Sequence, residues 1–113
     1  GGRLDHFEAA LRRVYQTQTQ FPHIQHKIIN KHNEISILLP GKHKIFRDEK
    51  YRYLSFFSYK QSVENVTIRG VKYETTSETI ELETSRFTSN ELVSEEGYIS
   101  FSSGICLMIR SSD

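Results

Sequence analysis

The sequence contains almost no cysteine, no tryptophan and no long apolar run. Cys106 is the only cysteine among 113 residues, so neither an internal disulfide nor a multi-cysteine metal site can form. No apolar stretch approaches the ~18 residues of a membrane-spanning helix, and no signal-peptide pattern opens the chain. We therefore expect a soluble single domain over residues 1–113, whose core uses seven Phe and six Tyr.

The short motifs that carry known chemistry are also missing. There is no dinucleotide-binding glycine pattern, P-loop, nucleophile elbow or zinc-protease helix. Cys106 lies between Ile105 and Leu107, where a desolvated thiolate would be a poor nucleophile. His23 and His26 fall where a loop becomes a strand, which would send them to opposite faces. These absences predict a protein that is not an enzyme, with no catalytic residue, metal ligand or cofactor.

An amphipathic helix is predicted over residues 4–18. Four apolar residues at spacings of three and four form one stripe: Leu4, Phe7, Leu11 and Val14. Gln18 and Phe21 continue this stripe. Pro22 ends the helix, because a residue before proline is driven out of helical conformations. We expect the stripe to cover one face of a sheet, and the alternative is the end of a longer coiled-coil helix.

Residues 26–110 predict an antiparallel β region. Alternating residues and turn signals indicate strands at Lys27–Ile29, Glu34–Leu39, Ile45-Phe46, 51–59, Val66–Tyr73 and Ser77–Thr84. Two further strands, Tyr98–Ser102 and Ile105–Arg110, are expected to form a hairpin around Ser103-Gly104. The predicted fold class is α+β, with the helix packed on a bent antiparallel sheet or partial barrel of about seven to eight short strands.

The near-zero net charge hides an asymmetry. Residues 1–72 carry 13 Lys and Arg against 6 Asp and Glu, whereas residues 73–113 carry 2 against 8. Such a division favours an interacting surface. The basic part could meet an anionic partner, or the two parts could meet between copies of the chain. Alternatively, the two parts lie side by side in the fold and neutralise each other.

Basic and aromatic residues alternate between positions 42 and 60. Single-stranded nucleic acids are bound by cations along the phosphates and by rings that stack on bases. Tyrosines on a partly solvent-exposed face are also typical of a protein interface. The candidate interaction residues of this segment are Lys42, Lys44, Arg47, Lys50, Tyr51, Arg52, Tyr53 and Lys60.

A second candidate surface is acidic. In the predicted strand Ser77–Thr84, Ile80 and Leu82 would point inward and Glu81 and Glu83 outward. Side-by-side carboxylates could hold calcium or act as an acid–base pair, but a solvated strand face is the commoner arrangement.

These observations predict a non-catalytic protein-interaction or assembly domain. It would be a subunit of a larger complex or filament, or a small inhibitor, and its partner would be another protein or a further copy of itself. The alternative is a nucleic-acid-binding module that uses residues 42–60.

Overall fold

The computed structural model describes the backbone of residues 2–113 and the side chains of residues 5–113, so the predicted contact of Leu4 lies outside the described side chains. The elements in this part are α1 (Gly2–Gln20), β1 (Lys27–Ile29), β2 (Asn33–Leu38), β3 (Gly41–Phe46), β4 (Tyr53–Ser58), β5 (Val63–Arg69), β6 (Thr75–Ile80), β7 (Glu96–Phe101) and β8 (Cys106–Ser111).

The strands form two antiparallel sheets. In the described residues, the helix-side sheet has the order β1-β2-β8-β4 and the outer sheet has the order β3-β7-β5-β6. Helix α1 packs on β1 and β2. The predicted fold class, one N-terminal helix on antiparallel strands, is therefore confirmed, with the strands divided between two sheets.

Strand β2 is buried on both faces because each face of its sheet is covered. Ile35 and Ile37 pack against Leu11 of the helix, which is 5% exposed. Leu38, on the opposite face, joins the core between the two sheets, together with Phe56 and other buried residues. The apolar stripe of the helix therefore covers a sheet, as the sequence predicts.

The end of the helix is fixed by Gln18. Its Oε1 accepts a hydrogen bond from His26 N (2.9 Å) and its Nε2 donates to Ile24 O (3.0 Å). Gln18 is thus buried on the stripe as predicted. Phe21 follows the last helical residue and is 49% exposed, so its predicted place on the stripe is wrong.

The hairpin predicted around Ser103-Gly104 is wrong. Within the described chain, β7 pairs with β3 and β5, whereas β8 pairs with β2 and β4. The chain crosses from one sheet to the other at Gly104, which has a φ of +95°. A Cβ at this position would collide with the Ser62 carbonyl oxygen of a neighbouring segment. The chain does turn at Ser103-Gly104, but the turn connects strands of two different sheets.

The strand predicted over Ser77–Thr84 ends earlier. Strand β6 stops at Ile80, which is fully buried as predicted. The chain then turns, with Glu83 at a φ of +64°. Leu82 is 54% exposed, so its predicted inward position is wrong. Glu81 and Glu83 consequently lie in a turn and not side by side on a strand face.

Cys106 is completely buried in the core between the sheets. This burial raises the pKa of the Cys106 thiol, because the thiolate would lose its hydration. Among the described residues, no helix is long and apolar enough to cross a membrane.

We expect Leu11→Ala to lower the free energy of unfolding by about 2–4 kcal/mol, because it removes a side chain packed between the helix and β2. Urea unfolding measures the change. The control, Gln16→Ala on the exposed side of the helix, should stay within about 0.5 kcal/mol of the native chain. Equal values for the two variants would contradict the packing of the helix.

We expect Cys106 to react slowly with a thiol reagent in the native chain and quickly in denaturant, because the native thiol is buried and protonated. An absorbance assay of thiol release measures both rates. A Ser85→Cys variant, whose added thiol lies at an exposed position, supplies the fast control. Fast labelling of the unmodified native chain would place Cys106 at the surface.

Candidate functional site

Three of the predicted interaction residues form ion pairs at the surface with other residues of the same chain. Each is a cation of the basic part that pairs with a carboxylate of the acidic part. The pairs are Lys44 with Glu96 (3.4 Å), Arg47 with Glu95 (3.4 Å) and Arg52 with Glu91 (3.3 Å). The charge asymmetry of the sequence is thus partly cancelled between neighbouring segments, which is one of the three arrangements it allowed.

The other cations of this segment lie over aromatic rings. Lys42 Nζ lies 4.2 Å from the ring centroid of Tyr98, and Lys50 Nζ lies 5.4 Å from that of Tyr51. Lys60 leaves the end of β4 and reaches the helix, where its Nζ lies 4.4 Å from the centroid of Tyr15. In these cation–π contacts, each lysine covers an aromatic ring of the same molecule.

The aromatic residues of the segment do not form one continuous stacking surface. Leu54 and Phe56 point into the core, and Tyr51 is 8% exposed. Tyr53 is half-buried beside Arg52, whose Cζ lies 5.2 Å from the ring centroid. The predicted interaction surface over residues 42–60 therefore stays a prediction, with fewer accessible rings than the sequence suggested.

A groove of about 670 Å³ opens between the edges of the two sheets. Five cations line it together with three carboxylates: Lys27, Lys42, Lys44, Arg47 and Arg110, with Glu34, Asp48 and Glu49. Arg110 is buried at its floor and Nη2 donates to Phe46 O (2.8 Å). Lys27 pairs with Glu34 at 3.4 Å. We call this feature the basic groove.

A smaller cleft of about 200 Å³ has a different chemistry. It lies between the start of β6 and the loop that precedes β7. The lining residues are Tyr73, Glu74, Thr75, Glu78, Arg86, Phe87, Thr88 and Asn90. Two carboxylates, two aromatic rings and several hydrogen-bonding groups therefore meet here. We call this feature the acidic cleft.

Backbone hydrogen bonds hold one wall of the acidic cleft against β4. Phe56 N donates to Phe87 O (2.9 Å), and Leu54 and Asn90 exchange two backbone bonds of 2.9 Å. Phe87 is thereby fixed at the edge of the helix-side sheet, with only 7% of its surface exposed. The irregular loop at residues 84–90 is thus attached to a regular strand.

Asn90 joins the two walls of the acidic cleft. Its Nδ2 donates to Tyr73 O (2.9 Å) and its Oδ1 accepts from Tyr73 N (3.0 Å). The same Oδ1 accepts from Glu91 N (3.0 Å). Asn90 is 6% exposed, and a buried amide is stable when its polar atoms are paired in this way. Asn90 therefore holds the backbone of Tyr73, next to the backbone bond that Lys72 N donates to Glu91 O (2.8 Å).

The acidic wall carries Glu74 and Glu78. Glu74 Oε2 accepts a hydrogen bond from Gly70 N (3.0 Å), which fixes the turn that leads into β6. Glu78 Oε1 lies 2.9 Å from Arg86 Nη1. The Cζ of Arg86 also lies 4.4 Å from the ring centroid of Phe87. Carboxylate and ring therefore face the same position, which suits a cation.

No pattern in the sequence predicts this cleft. The sequence predicts Glu74 between two strands and the carboxylates that follow on a solvated strand face. Tyr73 and Phe87 gave no signal, because their proximity depends on the pairing of β5 with β6 and on the attachment of the loop to β4. A buried asparagine in a polar loop is the one feature that could have attracted attention.

Comparisons with known proteins give a consistent result. Residues 42–106 match a family model described as "Thiamin pyrophosphokinase, vitamin B1 binding domain". The whole chain is 36% identical to the thiamine pyrophosphokinase of Bacillus subtilis (strain 168), and it covers 52% of that relative. The chain therefore spans about half the length of the relative.

Solved structures agree with this match. The crystal structure of thiamine pyrophosphokinase from Bacillus subtilis matches with a TM-score of 0.93 at 36% identity, over 100% of this chain and 52% of that one. The enzyme from Geobacillus thermodenitrificans matches with a TM-score of 0.88 at 34% identity, over 100% and 51%.

We expect Asn90→Ala to lower the free energy of unfolding by about 2–3 kcal/mol, because the backbone groups of Tyr73 and Glu91 would lose their buried partner. Urea unfolding measures this loss. Gln61→Ala, at an exposed position, is the control and should remain within about 0.5 kcal/mol of the native chain. If Asn90→Ala behaved like this control, Asn90 would not hold the two walls together.

Proposed function

The chain belongs to the thiamin pyrophosphokinase family, vitamin B1 binding domain, and on this premise we propose that it binds thiamine, an organic cation, in the acidic cleft. We propose further that the whole enzyme transfers pyrophosphate to thiamine. The chain spans about half of such an enzyme, and the role assigned to it is the binding of the vitamin.

Family membership corrects the function predicted from the sequence. The non-catalytic interaction or assembly domain is wrong, and so is the alternative nucleic-acid-binding module, because the matching family is the substrate-binding domain of an enzyme. The prediction that the chain has no part in an enzyme is wrong for the same reason. The motifs that the sequence lacks belong to nucleotide binding and to nucleophilic catalysis. A domain that binds a small cation needs only aromatic rings, carboxylates and a cleft that fits the ligand.

The chemistry of thiamine supports the acidic cleft over the basic groove. Thiamine carries a permanent positive charge on its thiazolium ring, which is joined to a planar aminopyrimidine. A cation is stabilised by carboxylates and by the faces of aromatic rings, and the cleft offers Glu74, Glu78 and Phe87. Five cations and three carboxylates line the basic groove, so the net charge of its lining is positive and disfavours the same ligand.

The size and position of the cleft support a partial site for the ligand. Small-molecule pockets commonly enclose about 300–1,000 Å³, and this cleft has about 200 Å³. It therefore suits one ring of thiamine, with the rest of the molecule extending past Tyr73, which is 61% exposed. Every lining residue of the cleft lies within the matched residues 42–106, whereas much of the basic groove lies outside them.

The partner in this proposal is thus a small organic cation. Association with another protein or with a second copy of the chain stays a prediction from the sequence. None of the interaction residues predicted between positions 42 and 60 lines the acidic cleft, and their role stays a prediction.

We expect Glu78→Gln to weaken thiamine binding about threefold to tenfold, because it removes a carboxylate beside the cation while it keeps the shape of the side chain. Glu74→Gln should have a similar effect. Amide chemical shifts of the chain, followed during a titration with thiamine, give both the dissociation constant and the location of the ligand.

Glu8→Gln is the matched control, since Glu8 is an exposed carboxylate paired with Arg12 on the helix. It should bind thiamine like the native chain. The proposed site would be overturned by shifts that cluster away from Tyr73, Phe87 and Asn90, or by equal affinities of all three variants. A native chain without any saturable response to thiamine would overturn the proposed function.

A further inference from the structure

A cation of the chain itself lines the acidic cleft. Arg86 Nη1 donates to Glu78 Oε1 at 2.9 Å, and its Cζ lies 4.4 Å from the ring centroid of Phe87. The guanidinium therefore touches both the carboxylate and the aromatic face that a bound cation would use. Two positive charges cannot share this position without strong repulsion.

We propose that Arg86 is an internal cation which covers Glu78 and Phe87 at the wall of the acidic cleft in the free chain, and which the thiazolium ring of thiamine must displace from these two groups on binding. The inference rests on the proposed function, since it concerns the same cleft. It adds a competitor for the ligand, and it gives Arg86 a role opposite to that of a ligand-binding residue. The side chain limits affinity and helps to restrict the cleft to cations that can replace it.

The displacement requires only a side-chain movement. The Arg86 side chain is 59% exposed, so it can leave the cleft for water without a change in the core. The loop itself stays in place, because the neighbouring Phe87 is anchored to β4 through its carbonyl oxygen. An exposed ion pair and a cation–ring contact are each weak, and a ligand can therefore compete with them.

Exchange of one cation for another has a measurable electrostatic signature. In the native chain, Glu78 passes from Arg86 to the ligand, so the number of ion pairs in the cleft changes little on binding. Without the arginine, the ligand would meet an unpaired carboxylate, and the new attraction would be screened by salt. The salt dependence of binding thus separates competition by Arg86 from a simple effect on the shape of the cleft.

The experiment compares thiamine binding by the native chain, Arg86→Gln and Arg86→Lys at low salt and at about 0.5 M salt. We expect Arg86→Gln to bind about threefold to tenfold more tightly at low salt, with most of this gain lost at high salt. Arg86→Lys keeps a competing cation and should stay close to the native chain. Arg12→Gln, which removes the exposed arginine paired with Glu8, is the control and should have no effect.

The outcomes separate this inference from the proposed function. If the native chain binds thiamine in the cleft but Arg86→Gln binds equally or more weakly, the competition is wrong and the proposed function stands. A gain that persists at high salt would also overturn the inference, since it would point to shape and not to charge. If neither the native chain nor Arg86→Gln binds thiamine, the proposed function fails and the inference fails with it. Unfolding curves check that every variant is folded.

Discussion

The architecture depends on the ability of the chain to leave one sheet and enter the other within a few residues. Between β7 and β8 this crossing passes through Gly104, whose backbone lies against the Ser62 carbonyl oxygen and has a conformation that side chains rarely permit. Between β2 and β3 it passes through Leu39 and Pro40, the two residues that separate these strands. These short crossings connect β2 to β3 and β7 to β8, and both β7 and β8 are inner strands of their sheets. The two sheets are thereby forced to face each other around one core.

Sequence reasoning succeeded where the signal is local. The period of the helical stripe identified Leu11 and Gln18 as buried residues, and the apolar flanks of Cys106 identified a core strand. It failed where the outcome depends on distant partners. Ser103-Gly104 has the composition of a hairpin turn, and only the pairing of β8 with β2 and β4 shows that the flanking strands belong to different sheets. Glu81 and Glu83 alternate with apolar residues like a strand, but β6 loses its neighbour after Ile80.

The candidate site was harder to predict for a similar reason. Tyr73, Glu78, Phe87 and Asn90 belong to three separate segments, and no spacing in the sequence connects them. Their proximity follows from the β5–β6 pairing on one side and from the backbone bonds of Phe87 and Asn90 to β4 on the other. The strongest sequence signal, the charge asymmetry, concerned surface charges, three of which pair across the two parts of the chain in the fold. Aromatic, acidic and amide residues occur in many polar loops, so their presence in the sequence does not identify a site.

The two cores on opposite sides of the helix-side sheet have a consequence for the dynamics of the molecule. The core between the sheets takes residues from β2 to β8 and none from the helix, whereas Leu11, Ile35 and Ile37 form a separate and smaller cluster. Proteins open in cooperative units whose stability follows their buried contacts. The helix layer can therefore detach as a sub-global opening while the β-sandwich stays closed. In such an opening, the amide protons of α1 would exchange with solvent, whereas exchange of those of β5 and β7 would require the core between the sheets to open.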